Sequence, residues 1–227
     1  MRRTSPVDGS DLALRSVVFA NNTFIAVGDR GTILTSPNGY AWKKQRSGIP
    51  GGRDEYEMRT LQCVTFGNGK FIAVGSTGMI LTSRDGVKWK KGKLSTPIDL
   101  YGIAFGEEIF VAVGDNGVIL ASPDGSVWTQ RASPNTTRLF CVTYGNGTYV
   151  AAGEGVVFTS PDGITWTPKT PQLSQLSWWF RGATFANNIF FVVGSSGIIR
   201  RLTATCGQSQ TVEVARVLPL QITRSSL

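Results

Sequence analysis

Residues 101–128 read YGIAFGEEIFVAVGDNGVILASPDGSVW, and this stretch decides the fold. It opens with an apolar-x-aromatic string, turns at Gly106-Glu107-Glu108, and continues as the apolar run Ile109–Val113. A Gly-bounded turn, a second apolar run and Ser122-Pro123-Asp124-Gly125 follow, with Trp128 three residues beyond the glycine. β-branched and aromatic residues bounded by Gly, Asn, Asp and Pro are strand and turn signals. No segment keeps a 3.6-residue apolar period, so helix is the poorer reading.

The stretch recurs. Units open at Arg15 (RSVVFANNTFIAVGDRGTILTSPNGYAW), Gln62 (QCVTFGNGKFIAVGSTGMILTSRDGVKW), Phe140 (FCVTYGNGTYVAAGEGVVFTSPDGITW) and Arg181 (RGATFANNIFFVVGSSGIIRRLTATCG). Val17, Val64, Ile103, Val142 and Ala183 mark equivalent positions, spaced by 47, 39, 39 and 41 residues. A period of about 40 residues is that of a four-stranded propeller blade. In unit one the strands are expected at Ser16–Phe19, Phe24–Val27, Thr32–Thr35 and around Trp42, with a two-residue hairpin signature in Gly28–Gly31. The expected fold is all-β: a single β-propeller domain over 1–227, with five blades of four antiparallel strands. The blades fall at about 14–60, 61–99, 100–138, 139–179 and 180–227. Unit five lacks its outer strand; Thr211–Leu218 (TVEVARVL) is preferred over Ser5–Leu12 to supply it. Two open blade faces would call for another chain, so the expected state is a monomer or a ring-completing oligomer.

Ser-x-Asp-Gly-x-x-Trp, preceded by VGxxGxIxxS, resembles the Asp-box (BNR-like) repeat of β-propellers, in particular photosystem II assembly-factor-like repeats. Sialidase- and sortilin-type propellers are more distant in resemblance. The likeness runs from Arg15 to about Cys206. It departs from the usual box in that Asp124-Gly125 and Asp162-Gly163 are adjacent and Asn38 replaces Asp in unit one. The resemblance implies a structural, peripheral box, so no catalytic role goes to Asp85, Asp124 or Asp162. The recurring Trp42, Trp89, Trp128 and Trp166 are read as packing residues.

Composition narrows the chemistry. Among 227 residues there is no His, and the three Cys form no CxxC pair. Histidine acid–base chemistry, histidine-ligated metals and a Cys-rich zinc site are thereby excluded, and no metal or cofactor is expected. No apolar run reaches the ~18 residues of a membrane span. The start MRRTSPVDGSDLAL lacks an apolar core, so the expectation is a soluble protein without a signal peptide as written. Cys63 and Cys141 fill the same inner-strand position in non-adjacent units and read as small packing residues.

Charge is uneven. Residues 1–93 hold 15 Lys/Arg against 7 Asp/Glu, residues 94–180 hold 3 against 7, and residues 181–227 hold 5 against 1. Lys43, Lys44, Lys90 and Lys91 fall on outer strands and define a basic rim suited to a protein partner with an acidic surface. Nucleic acid is not expected, because no interleaved aromatics accompany these lysines. Arg15, Arg59, Arg138 and Arg181 stand at or just before the first strand of four units, with Tyr101 at the same level. The resemblance implies that this end of the blade faces the propeller's entry rim, which makes them candidate binding residues. Trp178 and Trp179 break the once-per-unit Trp pattern and sit in one of two long connections, 45–60 and 167–179, where binding residues tend to lie. The leading expectation is a non-enzymatic binding or assembly scaffold. The alternative is a glycan-binding, lectin-like propeller or a sialidase-like glycoside hydrolase, which would draw on the arginines and Tyr101.

Overall fold

A computed structural model describes residues 12–48, 59–92, 94, 97–169, 179–203 and 212–216, the last stretch through its backbone. Its strands form five four-stranded antiparallel sheets, each in consecutive order, so the protein is a five-bladed β-propeller. Blade one holds β1 (Leu14–Ala20), β2 (Thr23–Gly28), β3 (Ile33–Ser36) and β4 (Lys43–Gln45). Blade two holds β5 (Leu61–Gly67), β6 (Lys70–Gly75), β7 (Met79–Ser83) and β8 (Lys90–Lys91). Blade three holds β9 (Leu100–Gly106), β10 (Ile109–Gly114), β11 (Ile119–Ser122) and β12 (Thr129–Arg131). Blade four holds β13 (Leu139–Gly145), β14 (Thr148–Gly153), β15 (Val157–Ser160) and β16 (Thr167–Pro168). Blade five holds β17 (Phe180–Ala186), β18 (Ile189–Gly194), β19 (Ile198–Thr203) and β20 (Val212–Arg216). The C-terminal strand β20 pairs with β19 from Ile198↔Arg216 to Leu202↔Val212 and so completes blade five. The competing segment, 5–11, lies outside the described residues.

Two local expectations need correction. The inner strand of blade one starts at Leu14, two residues earlier than Ser16, and the third strand is Ile33–Ser36. The Gly28–Gly31 turn is not a two-residue hairpin. Asp29–Gly31 form one 3-10 turn with Arg30 at φ 55°, and Thr32 N–H donates to the Asp29 carbonyl at 3.0 Å. The extra length lets the Asp29 amide reach back to the Ala13 carbonyl (3.0 Å), tying the turn to the approach to β1. The turn between β1 and β2 does follow its residues: Asn21 and Asn22 both take positive φ, which Asn tolerates and a two-residue hairpin turn needs.

The core lies between blades. Ile25, Val27 and Ile33 of blade one meet Leu61, Val64, Phe71, Leu81 and Trp89 of blade two. The same positions recur between blades two and three, three and four, and four and five. Each fully buried Ile, Leu or Phe contributes about 1.5–3 kcal/mol, so these four seams hold the fold. This explains why the second and third strands carry no clean alternation: both faces are covered.

The Ser-x-Asp-Gly turns are structural in geometry. Asp124 Oδ1 accepts from the amides of Ser126 (2.8 Å) and Val127 (3.1 Å) and from the Ser122 hydroxyl (3.1 Å). Trp128 Nε1 donates to the Gly125 carbonyl at 3.2 Å, and Trp42, Trp89 and Trp166 make the matching bond to Gly39, Gly86 and Gly163. The backbone amides hold the Asp85 and Asp124 carboxyls below the usual range against partial burial; Asp162, where burial is the larger influence, is still held low by its two amides.

Candidate functional site

Every inner strand carries the same irregularity one residue from its start. Leu14 pairs with Gly28 and Ser16 with Val27, leaving Arg15 without a partner across the ladder. The same skip falls at Gln62, Tyr101, Phe140 and Arg181. A β-bulge of this kind re-aims one side chain out of the alternating pattern. Its cause lies in the partner strand. Gly28, Gly75, Gly114, Gly153 and Gly194 are each approached so closely that an added Cβ would lie about 2 Å from a carbonyl oxygen of the incoming chain. Only glycine leaves room for that crossing, and the crossing creates the bulge.

The five bulge residues converge. Arg15, Gln62, Tyr101, Phe140 and Arg181, with Leu14, line one cavity of about 380 Å³, one bulge residue from each blade. This is the funnel at the strand-start end of the propeller. Tyr101 and Phe140 stack with ring centroids 5.5 Å apart, and Phe140 and Trp179 at 6.3 Å extend the aromatic wall. The Arg181 guanidinium lies 5.0 Å from the Phe140 centroid and 5.1 Å from that of Trp179. Arg181 makes no ion pair among the described residues, so its charge is held by ring faces and remains available to an anion.

The other cations are more committed. Arg15 Nε donates to Asp29 Oδ1 at 2.8 Å, and Asp29 also accepts from the Ala13 amide at 3.1 Å. Burial pushes the Asp29 carboxyl up, but Arg15 and these donors outweigh it and hold it below the usual range. Arg138 donates to Asp115, reaches Glu154 at 3.6 Å, and lies 5.9 Å from the Tyr101 and Phe140 centroids. The hydrogen bond to Asp115 raises the Arg138 pKa further. Tyr101 Oη donates to Asp115 Oδ1 at 3.2 Å, and burial followed by the Asp115 charge pushes its phenol up to about 12. At neutral pH Tyr101 is therefore an uncharged donor on an aromatic wall.

The expected residues thus divide. Arg15, Tyr101 and Arg181 line the funnel, while Arg138 and Trp179 do not line it but lie against its Tyr101 and Phe140 rings. Arg59 is half-buried just ahead of β5 and does not line the cavity, so the four arginines do not meet as one cluster. Trp178 and most of both long connections lie outside the described residues. Lys43, Lys44, Lys90 and Lys91 are exposed on β4 and β8, the outermost strands of their blades. Beside them Lys70, Arg84, Lys88 and Lys90 line a groove of about 210 Å³. The rim and the funnel are separate features, at opposite edges of the sheets. Sequence reasoning missed Gln62 and Phe140. Their signal was positional: each is the second residue of an inner strand, directly after the residue that pairs with the glycine ending the next strand.

Among the described residues no group of three or more His, Cys, Asp or Glu is placed to hold a metal ion. Nor is any helix among them long and apolar enough to cross a membrane.

No family model matches the chain, and no curated protein matches it. Solved structures do. YCF48 bound to D1 peptide aligns at TM-score 0.66 and 19% identity, over 92% of this chain and 69% of that one. YCF48 from Cyanidioschyzon merolae aligns at TM-score 0.68 and 19% identity, over 91% and 72%. A streptogramin B lyase aligns at TM-score 0.73 and 13% identity, over 90% and 68%. At such identities the likeness establishes the propeller fold and no activity.

Proposed function

We propose that this propeller is a non-enzymatic binding or assembly scaffold that receives a segment of an acidic protein partner in its funnel. The carrying observation is the convergence of five bulge residues on one cavity that offers an aromatic wall and an unpaired guanidinium. Rigid aromatics beside an arginine are the residue types that dominate protein recognition. The basic rim of blades one and two serves as a second contact that steers an acidic surface toward the ring. The likeness to a propeller described as bound to a peptide supports this reading. The repeats are best read as Asp-box type, supported by the Ser, Asp and Trp bonds of their turns.

The test is the binding of a synthetic glutamate- and phenylalanine-rich peptide to the immobilised full chain. Arg181→Glu should weaken it by about tenfold or more, ~1.4 kcal/mol, with the melting temperature unchanged. Changing Lys43, Lys44, Lys90 and Lys91 to Glu should slow association and flatten its salt dependence. An acidic glycan is the second reading, favoured by the Tyr101–Phe140–Trp179 wall. Binding of a sialylated oligosaccharide that Arg181→Glu abolishes, with no peptide binding, would replace the first reading by the second.

A further inference from the structure

Four seams join five blades, and among the described residues the fifth seam is unmade along the inner strands. The inner strands β1 and β5, β5 and β9, β9 and β13, and β13 and β17 pack side by side, whereas among the described residues β17 and β1 have no comparable packing. The consequence is visible position by position. Val17 is 62% exposed, while its equivalents Val64, Ile103 and Val142 are 5%, 4% and 8% exposed. Leu14 and Phe19 are exposed on the same strand, and Val193 is exposed on β18 where Val27, Val74 and Val113 are buried. Farther out on the blade-one face, Ala26 and Leu34 are buried, so the open part runs along the inner strands.

The made seams show what the open one lacks. At each, an aromatic ring of the following blade sits on a small residue of the preceding one. Phe105 covers Gly67, Tyr144 covers Gly106 and Phe185 covers Gly145. At the first seam the small residue is Ala20, which packs with Phe66 against the same cluster. Each ring is braced by a neighbour in its own blade, at 4.7 Å for Phe66–Phe71 and 4.5 Å for Phe105–Phe110. Phe19 is braced in the same way by Phe24 at 4.4 Å, yet it is 54% exposed and no small residue among those described receives it. At the other end Ala186 is exposed, with no ring among the described residues above it. The turn glycines repeat the lesson. A Cβ on Gly86, Gly125 or Gly163 would strike Ile25, Ile72 or Val111 of the preceding blade. A Cβ on Gly39 would meet only its own blade's Phe24, at 3.8 Å.

We propose that the open seam is made in trans between copies of this chain. Blade five of one copy, through Ala186 and Val193, receives blade one of another through Leu14, Val17 and Phe19. The occupant follows from continuity with the four existing seams: the chain carries both halves of a fifth one, in the residue types the others use, and the described residues do not join them in cis. The contact is head-to-tail, blade five of one copy against blade one of the next.

Sedimentation velocity of the full chain across the micromolar range tests this. The native chain should form a species of twice its 24.5 kDa mass or more as concentration rises. Phe19→Asp and Val193→Asp, both at exposed positions, should each be monomeric with the native melting temperature. Mixed, the two variants should associate again, because one retains a sound blade five and the other a sound blade one. A native chain that stays monomeric, assembly that survives either variant, or variants that stay apart when mixed would each overturn the proposal.

Discussion

In blades two to four the two ends obey opposite rules. At the Ser-x-Asp-Gly turn the same residue types recur, and their bonds recur with them: Asp85, Asp124 and Asp162 each accept two backbone amides, and each nearby Trp donates to the turn glycine. At the inner-strand bulge the backbone recurs while the side chains differ: Arg15, Gln62, Tyr101, Phe140, Arg181. A residue that must do the same packing work in every blade has to be the same residue. A position freed from packing by a bulge, and aimed into a shared cavity, has no such obligation. The repeated end holds the propeller together, and the varied end makes it particular.

Substitutions that attack the repeated architecture should have the largest effects. Gly106→Val would drive a side chain into the Tyr144 ring, which an added Cβ would approach to 2.1 Å. Overpacking of this kind costs about 1–3 kcal/mol or more, and a collapse of thermal stability is expected by calorimetry. Trp166→Ala empties a buried site between blades three and four and should cost about 3–5 kcal/mol. Next comes Asp124→Ala, which removes the acceptor of two amides. A loss of about 1 kcal/mol is expected, read as a melting shift of ~2–4 °C.

Acid should reproduce that loss at all the boxes together. The folded-state pKa values of Asp29, Asp85, Asp124 and Asp162 are lowered from 3.8. Their contribution is therefore fully present above pH 3.8 and lost as pH falls through the lower folded values. Melting temperatures should hold from neutral pH toward 4 and drop below it, and Asp124→Asn should make the drop shallower. The smallest stability effects belong to the varied end. Gln62→Ala and Arg181→Glu should shift stability by no more than about 0.5 kcal/mol.

The division also explains what could be read from the chain. The blades and the packing tryptophans were legible because each depends on a residue type repeated in place. The outer strand of blade five was legible from the alternation of TVEVARVL, even though it lacks the turn motif. The Gly28–Gly31 turn was misread because its glycines fit a two-residue hairpin, while its geometry is set by the distant Ala13 carbonyl. The funnel was half legible. Arginine and tyrosine at strand starts drew attention for their chemistry, whereas Gln62 and Phe140 carried no chemical signal. The bulge that unites them is a property of backbone register, and the only trace of it in sequence is the glycine opposite.

The central claim is that binding and stability separate along this division. The most direct measurement is a paired one, on Arg181→Glu and Asp124→Ala: affinity for the immobilised acidic aromatic peptide, and melting temperature. Arg181→Glu should lose about tenfold or more in affinity at native stability, while Asp124→Ala should melt a few degrees lower and bind as the native chain does. The contradicting result would be peptide affinity that follows stability in both variants, or that survives Arg181→Glu intact.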